Sequence, residues 1–263
     1  MYPLVQQLQR EGKVDQWFFI RYADPEPHLR LRFRLADRQY LADVMQQVEQ
    51  ALAAWEASGL LHRVQLDTYR RELERYGGEA IVQAEALFHH DSEATVQFLA
   101  LTEGDEREDL RWLWGLRSVD ALLDDFQIAL SDKLVLLQSM KESFAREFKM
   151  DKPLKLQLDK KYRAHRTAIA DMLSLSEVAD AYYPLVAILH KRSADNAVPI
   201  TALRSAQEQG TLALSITDLL RSYVHMLVNR LMPSQARFHE LVLYDFLYRE
   251  YRSGVAKAKF KGA

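Results

Sequence analysis

Two strand-like runs flank a proline-containing turn in the segment Asp15-Gln-Trp-Phe-Phe-Ile-Arg-Tyr-Ala-Asp24-Pro-Glu-Pro-His28-Leu-Arg-Leu-Arg-Phe-Arg-Leu-Ala-Asp37. The runs cover residues 17–22 and 28–35. The prolines between them cannot donate to a central ladder, because proline has no backbone N–H. The segment therefore predicts a β-hairpin.

The second run alternates strictly, so the two faces of this strand carry different chemistry. One face carries Leu29, Leu31, Phe33 and Leu35, and the other carries His28, Arg30, Arg32 and Arg34. Alternate residues of a strand lie about 6.6 Å apart, so Arg30 and Arg32 can both reach one small anion. The alternative is an ordinary amphipathic strand whose arginines are only solvated. The pattern alone leaves both interpretations open.

Length and composition indicate a globular protein. The 263 residues are 48% hydrophobic and 27% charged, which are ordinary values for a folded domain. The net charge of −2 gives no reason to expect direct binding of nucleic acid or of an anionic membrane. Cysteine is absent, which excludes disulfides, thiolate metal sites and a cysteine nucleophile. The N-terminus has no signal-peptide pattern, and the sequence favours a soluble cytoplasmic protein.

Beyond the hairpin, the patterns are mostly helical. Residues 1–14 predict a short helix or an added strand, residues 38–61 a helix, and residues 62–69 a third strand. Helices are then expected at 79–87, 92–101, 106–126, 131–148, 154–172, 176–193, 217–231 and 235–251, with Pro199 as a break and a frayed tail from Gly254. We therefore expect one α+β domain over residues 1–263, with a small N-terminal antiparallel sheet packed against a mostly helical remainder.

The sequence lacks the common motifs for binding a cofactor or a metal. The sequence has no phosphate-binding loop, no paired-glycine fingerprint and no His-Glu-x-x-His motif, so we expect no cofactor and no metal. The run His89-His90-Asp91 is the nearest approach to a metal cluster. Adjacent side chains diverge in direction, and we interpret this run as a solvated helix end.

Three blocks of the sequence resemble one family, in the family's order. The first is the hairpin segment, and the second is Asp67-Thr-Tyr-Arg-Arg-Glu-Leu-Glu-Arg-Tyr-Gly-Gly78. The third is Ser222-Tyr-Val-His-Met-Leu-Val-Asn-Arg-Leu231. Together they are similar to the C-terminal elimination domain of lantibiotic dehydratases, which also occurs alone as the thiopeptide-type bacteriocin biosynthesis protein.

The resemblance implies a lyase. Such a domain eliminates glutamate from O-glutamylated Ser or Thr of a ribosomally made precursor peptide, leaving dehydroalanine or dehydrobutyrine. It implies Arg30, Arg32, Arg71 and His225 as catalytic residues. It also implies a second group of residues that position the substrate: Tyr22, His28, Tyr69, Arg75, Tyr76, Asn229 and Arg230.

The resemblance also implies partners. A separately encoded enzyme is expected to glutamylate the peptide from glutamyl-tRNA, and the domain itself is expected to bind no nucleic acid and no membrane. The sequence leaves a homodimer open. Two other functions stay open as well: a [4+2] cyclase of related fold that forms the pyridine ring of thiopeptides, and a non-catalytic module that binds the precursor peptide.

Overall fold

The computed structural model of this protein describes residues 2–102, 104, 106–175 and 181–261. The chain divides into two compact units, Met1–Leu73 and Glu74–Ala263. Strands are confined, in the described residues, to a hairpin in the first unit, and the second unit is helical. The predicted α+β class is thereby confirmed. The prediction of one domain over residues 1–263 stays a prediction.

The first unit contains the hairpin between two helices. Its elements are α1 (Tyr2–Arg10), β1 (Val14–Tyr22), β2 (His28–Leu35), a short 3₁₀ helix (Arg38–Tyr40) and α2 (Leu41–Ala57). Residues 2–10 are helical, which settles the open alternative at the N-terminus in favour of a helix. The apolar face of α1 buries Leu4, Val5 and Leu8. The side chain of Asp37 caps the 3₁₀ helix by accepting from the backbone N–H of Gln39.

The two strands pair antiparallel, which forms the predicted β-hairpin. Phe18 lies opposite Arg32, and Ile20 lies opposite Arg30. These pairs share a face, because residues directly opposite each other in an antiparallel pair point to the same side. The arginines of β2 therefore stand beside the aromatic and aliphatic side chains of β1.

The predicted third strand is wrong. Residues 61–72 are all described, and they contain neither helix nor strand. Their alternation suits a strand, but a strand is stabilised by ladder bonds to a neighbour, and the hairpin sheet has only β1 and β2. The segment instead is an irregular stretch of chain after α2.

The second unit is built from helices that bury a common core. The elements from the end of the first unit onward are α3 (Leu73–Tyr76), α4 (Ile81–Leu101), α5 (Glu106–Asp125), α6 (Leu130–Glu147), α7 (Lys152–Ser174), α8 (Tyr183–Glu208), α9 (Ile216–Leu231) and α10 (Ala236–Lys261). α10 packs along α6, and α4 packs along α8. α9 contacts α4, α5, α8 and α10, so it runs through the middle of this unit.

Three predicted breaks are absent from the described helices. α4 continues through residues 88–91, where Ser92 Oγ donates to the carbonyl oxygen of Phe88 at 2.7 Å and Asp91 is buried. α8 continues through Pro199, which is itself buried. α10 continues through Gly254 to Lys261, and the side chain of Leu130 on α6 packs closely against Gly254. Tertiary packing outweighs the local helix-breaking signals at these positions. Part of the helix predicted at 176–193 lies outside the described residues.

Candidate active site

The basic face of β2 is lined by aromatic rings. The guanidinium carbon of Arg30 lies 3.8 Å from the centroid of the Tyr22 ring. The guanidinium carbon of Arg32 lies 4.7 Å from the ring centroid of Tyr69 and 5.5 Å from that of Phe18. A guanidinium that stacks on a ring keeps its N–H edge available, because hydrogen bonds form in its own plane. Such an arrangement can bind a carboxylate.

His28 fixes the position of Arg30. The Nε of Arg30 donates to His28 Nε2 at 3.1 Å, and His28 Nδ1 lies 2.8 Å from the carbonyl oxygen of Glu26. His28 Nε2 accepts, so Nδ1 must carry the proton and donate to the carbonyl. The His28 ring also stacks on Tyr22, with centroids 5.4 Å apart. His28 and Tyr22 therefore hold the side chain of Arg30 in place.

Tyr69 brings the irregular segment onto the same face. Its ring meets Phe18 edge-on, with centroids 5.8 Å apart, while its face covers Arg32. Arg34 is at the strand end, where its Nε lies 3.5 Å from Asp15 Oδ2. Half of the Arg34 side chain is exposed. Arg71 is exposed and lies two residues before α3, which begins at Leu73. Arg30, Arg32 and Arg71 thus all belong to the first unit.

His225 lies on α9, in the second unit, and is held by a carboxylate. Its Nδ1 lies 2.8 Å from Glu240 Oε1 on α10. The His225 side chain is 26% exposed, whereas that of Glu240 is 1% exposed. A carboxylate only accepts, so Nδ1 donates, and Nε2 is left as the basic nitrogen. This histidine is therefore not an ordinary core residue buried among leucines.

Three other predicted residues, Arg75, Tyr76 and Asn229, lie on α3 and α9 of the second unit. Arg75 Nε donates to Ser222 Oγ at 3.3 Å, which ties α3 to α9. The buried ring of Tyr76 stacks on Tyr223, with centroids 5.9 Å apart and planes 6° from parallel. Burial raises the pKa of Tyr223 above its usual value, so its phenol stays neutral. Asn229 is half-buried, one turn after His225.

Arg230 lies in the interior of the second unit. Its Nη1 is 3.2 Å from Asp91 Oδ2, and its guanidinium stacks on Phe88 at 4.6 Å. Arg192 binds the other oxygen of Asp91 at 3.1 Å and also donates to Ser118. A cavity with room for about one water molecule adjoins these residues. Arg230 is itself buried, and its role in positioning the substrate stays a prediction.

Asp91 should be important for stability, because two buried cations depend on it. Changing Asp91 to Asn keeps the shape and removes the charge, and we expect the free energy of unfolding to fall by about 2–3 kcal/mol. Asp195, in an exposed pair with Lys191, provides the control. Asp195→Asn should change stability by less than about 0.5 kcal/mol in the same urea titration. Equal effects of the two variants would contradict the assigned role of Asp91.

The His89-His90-Asp91 run is not a solvated helix end, since Asp91 is buried inside α4. His90 Nδ1 lies 3.0 Å from Asn196 Oδ1, and Asp91 binds two arginines. The residues that the structure describes contain no group of three His, Asp or Glu side chains that could hold a metal ion. None of the helices in these residues has both the length and the apolar content of a membrane-spanning segment.

No sequence pattern indicates the contact of Glu240 with His225 or the ion pair of Asp91 with Arg192. Glu240 lies 15 residues beyond His225, on another helix, and no local spacing links them. Arg192 lies 101 residues beyond Asp91. Only the packing of α9 and α10, and of α4 and α8, brings these side chains together.

The chain belongs to a known family. A family model described as lantibiotic biosynthesis dehydratase C-term matches residues 1–251, which confirms the resemblance. The chain is 28% identical to subtilin biosynthesis protein SpaB of Bacillus subtilis over 190 residues, which are 68% of this chain and 18% of SpaB. It is 32% identical to nisin biosynthesis protein NisB of Lactococcus lactis subsp. lactis over 108 residues, which are 41% of this chain and 10% of NisB.

Two solved structures are similar. The tRNA-dependent lantibiotic dehydratase MibB from Microbispora sp. 107891 matches with a TM-score of 0.73 and 26% identity, over 98% of this chain and 26% of MibB. TsrL matches with a TM-score of 0.66 and 14% identity, over 96% of this chain and 88% of TsrL, a likeness of fold alone. The chain therefore spans 26% of the length of MibB, and the matches cover 18% of SpaB and 10% of NisB.

Proposed function

We propose that this protein eliminates glutamate from O-glutamylated Ser or Thr of a ribosomally made precursor peptide, leaving dehydroalanine or dehydrobutyrine. The observation that carries the proposal is the match of the lantibiotic dehydratase C-terminal family over residues 1–251. The ring-backed arginines of the hairpin and the oriented His225 support it, because they provide an anion site and a base.

The reaction is a β-elimination that needs no redox partner. A base removes the α-proton of the glutamylated residue, the Cα–Cβ double bond forms, and the Cβ–O bond breaks. Glutamate leaves as a carboxylate, the conjugate base of an acid with a pKa of about 3.5, so its departure needs charge pairing more than protonation. The α-proton of a peptide is weakly acidic, so the enolate oxygen that develops needs donors.

The arginines supply the charge pairing. Arg30 and Arg32 are one pleat apart on the same face, and both are stacked on rings. Together with Arg71, they bind the glutamyl group and stabilise the enolate and the departing carboxylate. A bidentate fork suits both oxygens of a carboxylate.

His225 transfers the proton. Its Nδ1 is occupied by Glu240, so Nε2 accepts the α-proton or, as an imidazolium, pairs with the enolate oxygen. Asn229, Arg75 and Tyr76 are its proposed neighbours in positioning the peptide.

The substrate implies a partner enzyme. MibB is a tRNA-dependent dehydratase, and this chain covers 26% of its length. We therefore infer that a protein region other than these 263 residues glutamylates the peptide from glutamyl-tRNA. This chain then receives the glutamylated peptide without contacting tRNA.

Incubation with a chemically glutamylated peptide tests the proposal. Mass spectrometry should show loss of glutamic acid, and a thiol should then add to the new dehydroalanine. Unchanged peptide would contradict elimination and favour a binding module. A peptide that already contains two dehydroalanines provides the comparison with the cyclase, since consumption of that peptide alone would favour [4+2] chemistry.

Tyr69 should contribute through its ring face. Tyr69→Leu removes the surface on which Arg32 stacks, and we expect the elimination rate to fall about 2- to 5-fold, the value of an exposed cation–π contact. Tyr69→Phe keeps the face and should retain nearly the wild-type rate. A loss in the Phe variant as large as in the Leu variant would assign the role to the hydroxyl group instead.

A further inference from the structure

We propose that Glu240 is the positioning residue of His225, and that Tyr244 holds Glu240 in place for this purpose. The proposal rests on the proposed function, since it assigns to His225 a role in proton transfer. It adds two residues outside the three sequence blocks on which the family resemblance depends. Neither residue needs to touch the peptide, because each acts through the imidazole.

The geometry indicates a directed chain of hydrogen bonds. Tyr244 Oη donates to Glu240 Oε2 at 2.8 Å, and Glu240 Oε1 accepts from His225 Nδ1 at 2.8 Å. Tyr244 and Glu240 are one turn apart on α10, whereas His225 is on α9. Each carboxylate oxygen therefore has one donor, and the two donors lie on different helices.

The chain of hydrogen bonds is buried at Tyr244 and partly exposed at His225. Tyr244 is fully buried and Glu240 is 1% exposed, while His225 is 26% exposed. A buried carboxylate stays charged only where it is ion-paired or hydrogen-bonded, because removing the charge from water is costly. Arg237 adds a cation 3.7 Å from Glu240 Oε2. Burial and the Glu240 carboxylate raise the pKa of Tyr244, so Tyr244 remains a donor.

This arrangement controls the imidazole in two ways. It fixes the tautomer with the proton on Nδ1, so that Nε2 carries the lone pair that accepts a proton. It also stabilises the imidazolium that forms after proton transfer, since a carboxylate lies against its N–H. Orientation by a carboxylate is the device by which a histidine base is held in hydrolytic triads.

Substitution of Glu240 by Gln tests the tautomer directly. The variant keeps the shape, but the amide can donate to Nδ1 and thereby favour the opposite tautomer. Nitrogen NMR of the His225 imidazole should show the proton on Nδ1 in the wild type and a population with the proton on Nε2 in Glu240→Gln. The rate constant kcat for elimination should fall about 10- to 100-fold, with KM for the glutamylated peptide nearly unchanged.

The chain offers a matched control on the same helix. Tyr251 is also buried on α10, and its hydroxyl donates to Asp120 at 2.7 Å, so it is an equivalent Tyr–carboxylate pair away from His225. Tyr244→Phe and Tyr251→Phe each delete one buried hydroxyl and should cost similar stability. Only Tyr244→Phe should lower kcat, by about 3- to 10-fold, because only Glu240 contacts the imidazole.

The outcomes separate this proposal from the proposed function. Wild-type elimination with unchanged kcat and tautomer in Glu240→Gln would overturn the positioning role and leave the lyase proposal intact. A wild type without elimination activity would contradict the lyase proposal, while the imidazole spectra would still decide whether Glu240 sets the tautomer. Equal loss of kcat in the two Tyr→Phe variants would also overturn the proposal, since it would indicate a general effect on α10.

Discussion

Replacing Arg32 with lysine should lower the elimination rate about 10- to 1000-fold, which is the cost of losing one preorganised donor. Lysine keeps the positive charge, but it lacks the planar fork that binds two carboxylate oxygens and stacks on Tyr69. The same change at Arg30 should have a comparable effect, because Arg30 is fixed by His28 and Tyr22. In an assay coupled to a glutamylating enzyme, glutamylated peptide should accumulate.

Arg34 serves as the control for this result. It lies on the same strand face, but it is paired with Asp15 at the strand end, and half of its side chain is exposed. Arg34→Lys should therefore retain most of the activity. Small and equal effects at positions 30, 32 and 34 would contradict the anion site and favour a basic face that is only solvated.

Replacing His225 with alanine should lower kcat about 100- to 10,000-fold, the usual range for loss of a general acid or base. The glutamylated peptide should still bind, because the arginines that hold it are unchanged. Single-turnover kinetics together with a binding titration measure the two effects separately.

Stability alone cannot assign the role of His225, because its imidazole also donates to the buried Glu240. His225→Ala leaves that carboxylate short of one donor, so the free energy of unfolding should fall by about 1–3 kcal/mol even if His225 is catalytic. His225→Asn is the better variant, since its amide N–H replaces Nδ1–H and no basic nitrogen remains. It should recover much of the stability and none of the activity. Recovery of activity together with stability would indicate a structural histidine.

The sequence predicted the hairpin because all of its determinants are local. Period-2 alternation and a proline-containing turn define β1 and β2 within about twenty residues, and the two strands pair antiparallel as a hairpin requires. The third strand failed for the opposite reason. Residues 62–69 have the alternation of a strand, but a ladder requires a neighbour, and no local signal reports whether a neighbour exists.

The candidate site was predicted in part. The alternation makes Arg30 and Arg32 candidates, and the family resemblance adds Arg71 and His225. The contacts of Glu240 with His225 and of Asp91 with Arg230 could not be predicted, because each joins two helices, and the second pair is 139 residues apart. Arg230, a residue within a family motif, is buried against Asp91 and Phe88, and its role in positioning the substrate stays a prediction. Contact between helices, and not spacing along one helix, decides these roles.

The most direct measurement uses a peptide whose glutamylated serine carries deuterium at Cα. Elimination must remove this atom, so the product should be dehydroalanine without deuterium. The rate should also be lower than with the protiated peptide, because removal of the α-proton is the difficult step. Release of glutamate with serine restored and its deuterium retained would mean ester hydrolysis, and it would contradict the proposed elimination.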